Sequence, residues 1–233
     1  MTRRHAARNP GRSGASVLTG VQALIFDFDG TIASAPYDFQ AMRREVIRAA
    51  GRYGVESAGL RGLRALEMIE RAGAALGPAG KDFRADATAA VRRKEIEAAS
   101  KGSLLPGAMA ALKKLRAAGY AIAVITRNCE EAVRIILKGR ELPCQVLLAR
   151  DHVRKVKPDP DHLRRAMSRL KVNADECLMV GDHVIDIEGG KAAGMRTVGV
   201  LTGSTGRREM EEAGAHLIAR DVRELAAMLL QRT

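Results

Sequence analysis

Val21-Gln-Ala-Leu-Ile-Phe-Asp-Phe-Asp-Gly-Thr31 is the stretch whose reading decides the fold. Its first six residues form an apolar run that reads as a buried β-strand. The run closes on Asp27 and Asp29, two carboxylates two residues apart. Side chains at i and i+2 of an extended chain share one side. Both acids then face one crevice at the C-terminal end of the strand, where open α/β sheets bind ligands. Desolvated carboxylates this close repel, and one pKa rises unless a cation intervenes. The pair asks either for a divalent metal or for one acid that keeps its proton, and both point to chemistry.

Downstream of Thr31 the pattern changes to helical spacing. Phe39, Met42, Val46 and Ala49/Ala50 fall on one helix face. Leu60, Leu63, Leu66, Ile69, Ala72 and Leu76 make a second stripe, and Phe83, Ala87, Ala90 and Val91 mark one side of a third, more charged segment. Gly77-Pro78-Ala79-Gly80 reads as the turn between the last two. After Leu104-Leu105-Pro106-Gly107 strands and helices alternate. Strands are expected at 120–125, 145–149, 177–180 and 197–201, with helical stripes around Leu112, Val133, Ala166 and Leu225. Such alternation implies a parallel sheet with helices on both faces. The expected class is α/β, a Rossmann-like parallel sheet core over 21–33 and 102–233, with an inserted α-helical unit over 34–101. Residues 1–20 read as a disordered basic tail, rich in Arg, Gly, Ser and Ala.

The totals fit one such molecule. The chain has 233 residues, 46% of them hydrophobic but only 3% aromatic, so packing relies on aliphatic side chains. No apolar run reaches transmembrane length, and the tail lacks the apolar middle of a secretory signal. Net charge is +12, and Arg3, Arg4, Arg8 and Arg12 supply four of those charges. Attraction of anionic substrates such as phosphates competes with a plainly solvated basic surface. Nucleic-acid binding is disfavoured, because acids interrupt the basic residues and no aromatic stacking set accompanies them. Cys129, Cys144 and Cys177 form no CxxC pair, which suggests neither a zinc site nor a disulfide framework and makes a reducing cytoplasm the default. Cys129 reads as a small buried residue rather than a nucleophile, with no His placed to activate it.

Three expected strands end in unusual polar residues. The first ends in Asp27 and Asp29, the strand at 120–125 in Thr126-Arg127-Asn128, and the strand at 177–180 in Gly181-Asp182, with Asp186 four residues on. Lys157 lies in the loop that leads to the next helix. Four carboxylates, a hydroxyl and an ammonium therefore converge on one sheet edge. A hard cation such as Mg²⁺ takes oxygen ligands, while Thr126, Lys157 and loop N–H groups suit a phosphate. The set suffices for metal-assisted phosphoryl transfer.

On these residues the chain resembles the haloacid dehalogenase superfamily, in its phosphatase branch. Asp27-Phe-Asp-Gly-Thr31 matches the first motif, Thr126 the second, Lys157-Pro-Asp-Pro the third and Gly181-Asp182-His-Val-Ile-Asp186 the fourth. The helical insert resembles the cap of the subfamily of phosphoglycolate phosphatases and β-phosphoglucomutases. The resemblance implies that Asp27 is the nucleophile, forming an aspartyl-phosphate, and that Asp29 is the acid and then the base. It implies Mg²⁺ bound by Asp27, the Asp29 backbone carbonyl and Asp182, with Asp186 as a direct ligand or one step removed from the ion. Thr126 and Lys157 would hold the phosphoryl group, and Arg127 would reach an anionic substrate or form a salt bridge elsewhere. Dehalogenases of the superfamily lack an acid at the Asp29 position, so its presence favours a phosphate ester.

The expected activity is thus a Mg²⁺-dependent phosphatase of a small phosphorylated metabolite, phosphoglycolate-like or a sugar phosphate. A β-phosphoglucomutase-like phosphomutase is the nearest alternative, and a phosphorylatable receiver-like signalling module is the alternative from another class. No membrane partner is expected, and the sequence leaves oligomeric state and substrate open. His183 departs from the small residue usual after the aspartate and reads as structural. Lys155 reads as solvated, as do Arg43 and Arg44 on the first insert helix. A dinucleotide enzyme is disfavoured, because no GxGxxG follows a strand.

Overall fold

The computed structural model describes residues 14–232. In chain order the first elements are α1 (Gly14–Val17), β1 (Ala23–Asp27), β2 (Ala33–Ser34), α2 (Phe39–Arg52), α3 (Ala65–Ala75), α4 (Gly80–Ala99) and β3 (Ser103–Leu104). There follow α5 (Ala108–Ala117), β4 (Ala121–Ile125), α6 (Glu130–Leu137), β5 (Val146–Leu148), α7 (Asp161–Leu170) and β6 (Cys177–Gly181). The chain ends with α8 (Val184–Ala192), β7 (Arg196–Val200), α9 (Arg207–Ala213), β8 (Leu217–Ala219) and α10 (Val222–Leu230).

Six strands form one sheet in the order β5-β4-β1-β6-β7-β8, every pair parallel. β1 lies inside the sheet, with Asp27 level with Ile125 of β4 and Phe26 level with Val180 of β6. All five of its residues are buried. Their alternation divides the core: Leu24 and Phe26 pack with Leu112, Val133 and Leu225 of α5, α6 and α10. Ala23 and Ile25 pack on the opposite face with Leu163, Ala166 and Met167 of α7. A parallel strand covered on both faces needs this unbroken apolar run. The architecture is the expected Rossmann-like α/β sheet.

β2 and β3 pair antiparallel, Ala33 with Leu104 and Ser34 with Ser103. The chain therefore leaves and re-enters the core through neighbouring strands. Between them α2, α3 and α4 close over an apolar centre of their own, with Met42, Val46, Met68, Ile69, Phe83 and Ala87 in it. The second stripe differs from expectation. Leu60 is buried but sits in a 3₁₀ turn (Ser57–Leu60), and α3 starts only at Ala65. Gly62, at φ +77°, interrupts the run between Leu60 and Leu63 with a backbone that a right-handed helix cannot contain.

Two elements have weak sequence signals. β8 is three residues long, and α9, Arg-Arg-Glu-Met-Glu-Glu-Ala, buries only Met210. Part of the segment 1–20 expected as a disordered basic tail is instead packed. Val17 and Leu18 are buried in the core, and the Arg196 guanidinium donates to the carbonyls of Val17 (2.6 Å) and Thr19 (2.7 Å). Two apolar residues and one arginine bind this part of the segment to the sheet; residues 1–13 lie outside the described residues. Among the described residues no helix is long and apolar enough to cross a membrane.

Candidate active site

The site is built where β1, β4 and β6 end side by side. Beyond Asp27 the Phe28 N–H still donates to the Ile125 carbonyl (3.1 Å), which keeps the chain on the sheet. It then folds back tightly: the N–H groups of Ile32 and Ala33 both donate to the Phe28 carbonyl at 2.9 Å. Gly30 at φ +87° makes this return possible, and a Cβ there would overlap the Asp182 carboxylate. Gly203 presses on the same carboxylate from the opposite loop, again with no room for a Cβ. Thr202 secures that loop by donating its hydroxyl to the Gly30 carbonyl (2.5 Å). The Thr31 hydroxyl lies 3.4 Å from Asp182 Oδ1.

Asp27, Asp182 and Asp186 are all buried, and one oxygen from each lies within 4.8 Å of the others. Lys157 Nζ donates to Asp27 Oδ1 and, at 2.6 Å, to Asp186 Oδ1. Two of the three carboxylates thus share one ammonium. Burial pushes the Asp27 carboxyl well above the usual range, against the pull of Lys157 and with repulsion from its acidic neighbours. Burial, then repulsion from Asp186, lifts Asp182 to about 6. An all-oxygen cluster with surplus negative charge and little water fits a hard divalent cation. Asp186 also shapes the local backbone, since its Oδ2 accepts the His183 N–H (3.1 Å) and closes the first turn of α8. His183 Nδ1 accepts the Ile185 N–H (3.2 Å).

The Asp29 side chain turns away from this cluster. Its Oδ2 accepts the Thr126 hydroxyl (2.6 Å) and its Oδ1 accepts the Tyr37 hydroxyl (2.7 Å). Thr126 Oγ1 in turn accepts the Asn128 N–H (3.0 Å). Burial raises the Asp29 pKa, and the two hydroxyl donors counter part of that rise. Tyr37 is absent from the sequence reading. It follows Pro36 in a linker, and nothing in its spacing tells that its hydroxyl reaches back to the first motif.

Lys157 is itself supported. Its N–H lies 3.5 Å from Nδ1 of buried His162, whose Nε2 bonds the Leu148 carbonyl at 3.0 Å. Burial takes the His162 pKa down to about 4, so the ring is neutral and donates from Nε2.

Arg127 stands apart from the carboxylates. Its guanidinium donates to the Lys157 carbonyl (3.0 Å) and, at 3.0 and 3.3 Å, to both oxygens of Glu67 on α3. A second arginine also crosses to the insert. Arg150 donates to both oxygens of Glu95 on α4, at 2.9 Å to Oε2, and to the Arg127 carbonyl (2.9 Å). Glu95 also accepts the Cys129 N–H (3.2 Å). Neither Glu95 nor Arg150 has a sequence signal, since both sit among ordinary surface-like charges. Other candidates fall to plain roles. Burial pushes the Cys129 thiol up to about 11. Lys155 pairs with Asp159 (3.2 Å) and Arg44 with Asp38 (3.4 Å), the lysine and both members of the second pair exposed. Asp151, which has no reading from sequence, caps α6 by accepting the Glu130 N–H (2.7 Å).

The strand-end carboxylates, the lysine facing two of them and the hydroxyl just past the neighbouring strand make a set suited to phosphoryl transfer. The chain belongs to the haloacid dehalogenase-like hydrolase family, whose sequence profile it matches over residues 24–200. It is 31% identical over 226 residues to a phosphoglycolate phosphatase of Rhodospirillum rubrum, covering 89% of this chain and 90% of the relative. It is 28% identical over 221 residues to a plasmid-encoded phosphoglycolate phosphatase of Cupriavidus necator, with 92% and 96% covered. A crystal structure of a hydrolase from Pseudomonas syringae shares the fold with a TM-score of 0.64 at 23% identity, over 90% of this chain and 98% of that one.

Proposed function

We propose that the protein is a Mg²⁺-dependent phosphatase of a small phosphorylated metabolite, working through an aspartyl-phosphate on Asp27. The observation that carries the reading is the division of labour between two carboxylates two residues apart. Asp27 lies with Asp182, Asp186 and Lys157, whereas Asp29 is held apart by two hydroxyls. One acid is placed for a metal and a phosphorus atom, the other for a proton.

A carboxylate oxygen of Asp27 attacks phosphorus, and the bond to the leaving oxygen breaks. Asp29, whose burial favours the protonated form, gives that oxygen its proton. Asp29 then takes a proton from water as the water oxygen attacks the phosphorus. Phosphate leaves and Asp27 is regenerated. Two half-reactions with a covalent carboxylate replace one difficult displacement, and the acid–base group typically contributes about 10²–10⁴-fold. Thr126 and Lys157 orient and neutralise the phosphoryl oxygens, the main requirement of such a transfer; Arg127 sits one residue further on and assists with an anionic substrate. Asp27, Asp182 and the Asp29 backbone carbonyl would hold Mg²⁺, with Asp186 as direct or outer ligand, and the ion would add positive charge at the phosphoryl group.

Residues 34–101 serve as the cap that closes over the substrate and excludes water. Core-to-insert bridges, among them Arg127–Glu67, Arg150–Glu95 and Arg92–Glu131, support that assignment. The phosphoglycolate phosphatases matched along most of the chain favour a substrate of that size and charge. Three unpaired cysteines accord with a reducing cytoplasm.

The test is phosphate release from a panel of phosphorylated metabolites in Mg²⁺, with Asp27→Asn alongside. The wild type is expected to favour one or a few compounds. The variant should fold normally and lose at least roughly 10³-fold in kcat on each. Appreciable activity of the variant would remove Asp27 as nucleophile. Isomerisation without net phosphate release would move the reading to the phosphomutase.

A further inference from the structure

Tyr37 lies where the chain crosses from the core into the insert, between β2 and α2. Its ring stacks on that of Phe39, the first residue of α2, with centroids 6.0 Å apart and planes inclined by 29°. Its hydroxyl donates to Asp29 Oδ1. The opposite oxygen, Oδ2, accepts the Thr126 hydroxyl, and Thr126 Oγ1 in turn accepts the Asn128 N–H.

A hydroxyl has one proton to donate. In the phosphatase reading Thr126 must give its proton to a phosphoryl oxygen, and it cannot then also give it to Asp29. Phosphate binding therefore turns Thr126 away and frees Asp29 Oδ2 for the leaving oxygen. Oδ1 keeps its bond to Tyr37 throughout. One oxygen is held while the other works, which is what orienting an acid–base group requires. Because Tyr37 is stacked on the first residue of α2, the same bond ties the aim of Asp29 to the seating of the insert.

We infer that Tyr37 is a positioning residue for Asp29, fixing the acid–base carboxylate from the linker that carries the helical insert. The inference rests on the phosphatase reading above and adds a residue that none of the motifs contains.

Tyr37→Phe removes the hydroxyl and keeps the ring, so the stack on Phe39 survives. With the metabolite selected by the panel, in Mg²⁺, kcat is expected to fall about 10–100-fold, part of the full acid–base contribution, while KM stays within about twofold. The second substrate is 4-nitrophenyl phosphate, whose leaving group departs without a proton. On it the variant should form the aspartyl-phosphate at the normal rate and hydrolyse it slowly. Rapid mixing should then show a burst of about one nitrophenolate per active site, followed by a slower steady rate. A kcat within twofold of the wild type on the metabolite overturns the inference. A loss of kcat without a burst also overturns it, because the damage then reaches steps that need no proton transfer. If the wild type hydrolyses neither compound, the phosphatase reading fails and this inference falls with it. If the wild type is active, Asp27→Asn is dead and Tyr37→Phe is normal, only the role of Tyr37 is lost.

Discussion

The backbone of Lys157 lies against a buried histidine, its N–H 3.5 Å from His162 Nδ1. His162 is buried and neutral, its pKa taken down to about 4 by burial, against an ordinary 6.5. The unfolded chain binds a proton below 6.5 that the folded chain refuses until about 4. This contribution to stability is fully present above pH 6.5 and is lost as the pH falls through the folded value. Asp182 acts with the opposite sign in metal-free protein. Its folded pKa of about 6 exceeds the ordinary 3.8, so the folded state gains relative stability as the pH drops through that window. The two are separated by comparing the wild type with His162→Gln, which keeps a donor toward Leu148. In urea titrations the stability advantage of the wild type over the variant should shrink by about 2 kcal/mol between pH 7 and pH 5. An advantage independent of pH would mean that His162 is not the neutral buried base described here.

At the scale of elements, a partly exposed bridge joins α3 to the core. Glu67 is 34% exposed and its partner Arg127 18%. Solvent and salt weaken such a pair, so Glu67→Gln should change the unfolding free energy by less than about 1 kcal/mol. Its effect belongs to binding. Arg127 also donates to the backbone carbonyl of Lys157, so its guanidinium braces the loop that carries the proposed phosphate-binding lysine while engaged by an acid of the insert. Releasing it with Glu67→Gln should lower KM a few-fold, and Arg127→Gln should raise KM roughly tenfold, the size of one charge-assisted hydrogen bond. Steady-state kinetics on the preferred substrate decide the point. Two unchanged KM values would make Arg127 a strut between α3 and the Lys157 loop and remove it from the phosphate-binding set.

Across the whole molecule, the insert depends on a second bridge of another kind. Glu95 is 2% exposed, and its carboxylate meets Arg150 on the far side of the core–insert boundary. Removing one member strands a buried charge, so Glu95→Ala should cost about 3–5 kcal/mol in denaturant unfolding. Replacing both by methionine should recover most of that loss, because the expense lies in the orphaned charge rather than in the missing attraction. A single-variant cost below about 1 kcal/mol would show that water reaches Arg150 and that the boundary opens readily.

How much of this was legible in the chain follows from the range of each interaction. Asp27, Asp29, Thr126, Asp182 and, four residues on, Asp186 could be grouped because each ends or follows a strand with an unmistakable apolar run, whereas Lys157, well past β5, was identifiable by its match to the third motif of the family the chain resembles. Parallel pairing then aligns such ends at one edge without further information. The Rossmann-like order of strands and helices was readable for the same reason, whereas β8 and α9 were too short or too polar to stand out. Tyr37, Glu95, Thr202 and the engagement of Arg127 were not readable. Their partners lie 8 to 172 positions away and meet them only in the folded molecule, and no local periodicity records that contact. The sequence by itself determined which residue types the strand ends carry to the sheet edge, since strand ends and residue types are local properties. Only the tertiary structure decided how those residues are held, because the second partner of each arrives from a different part of the chain.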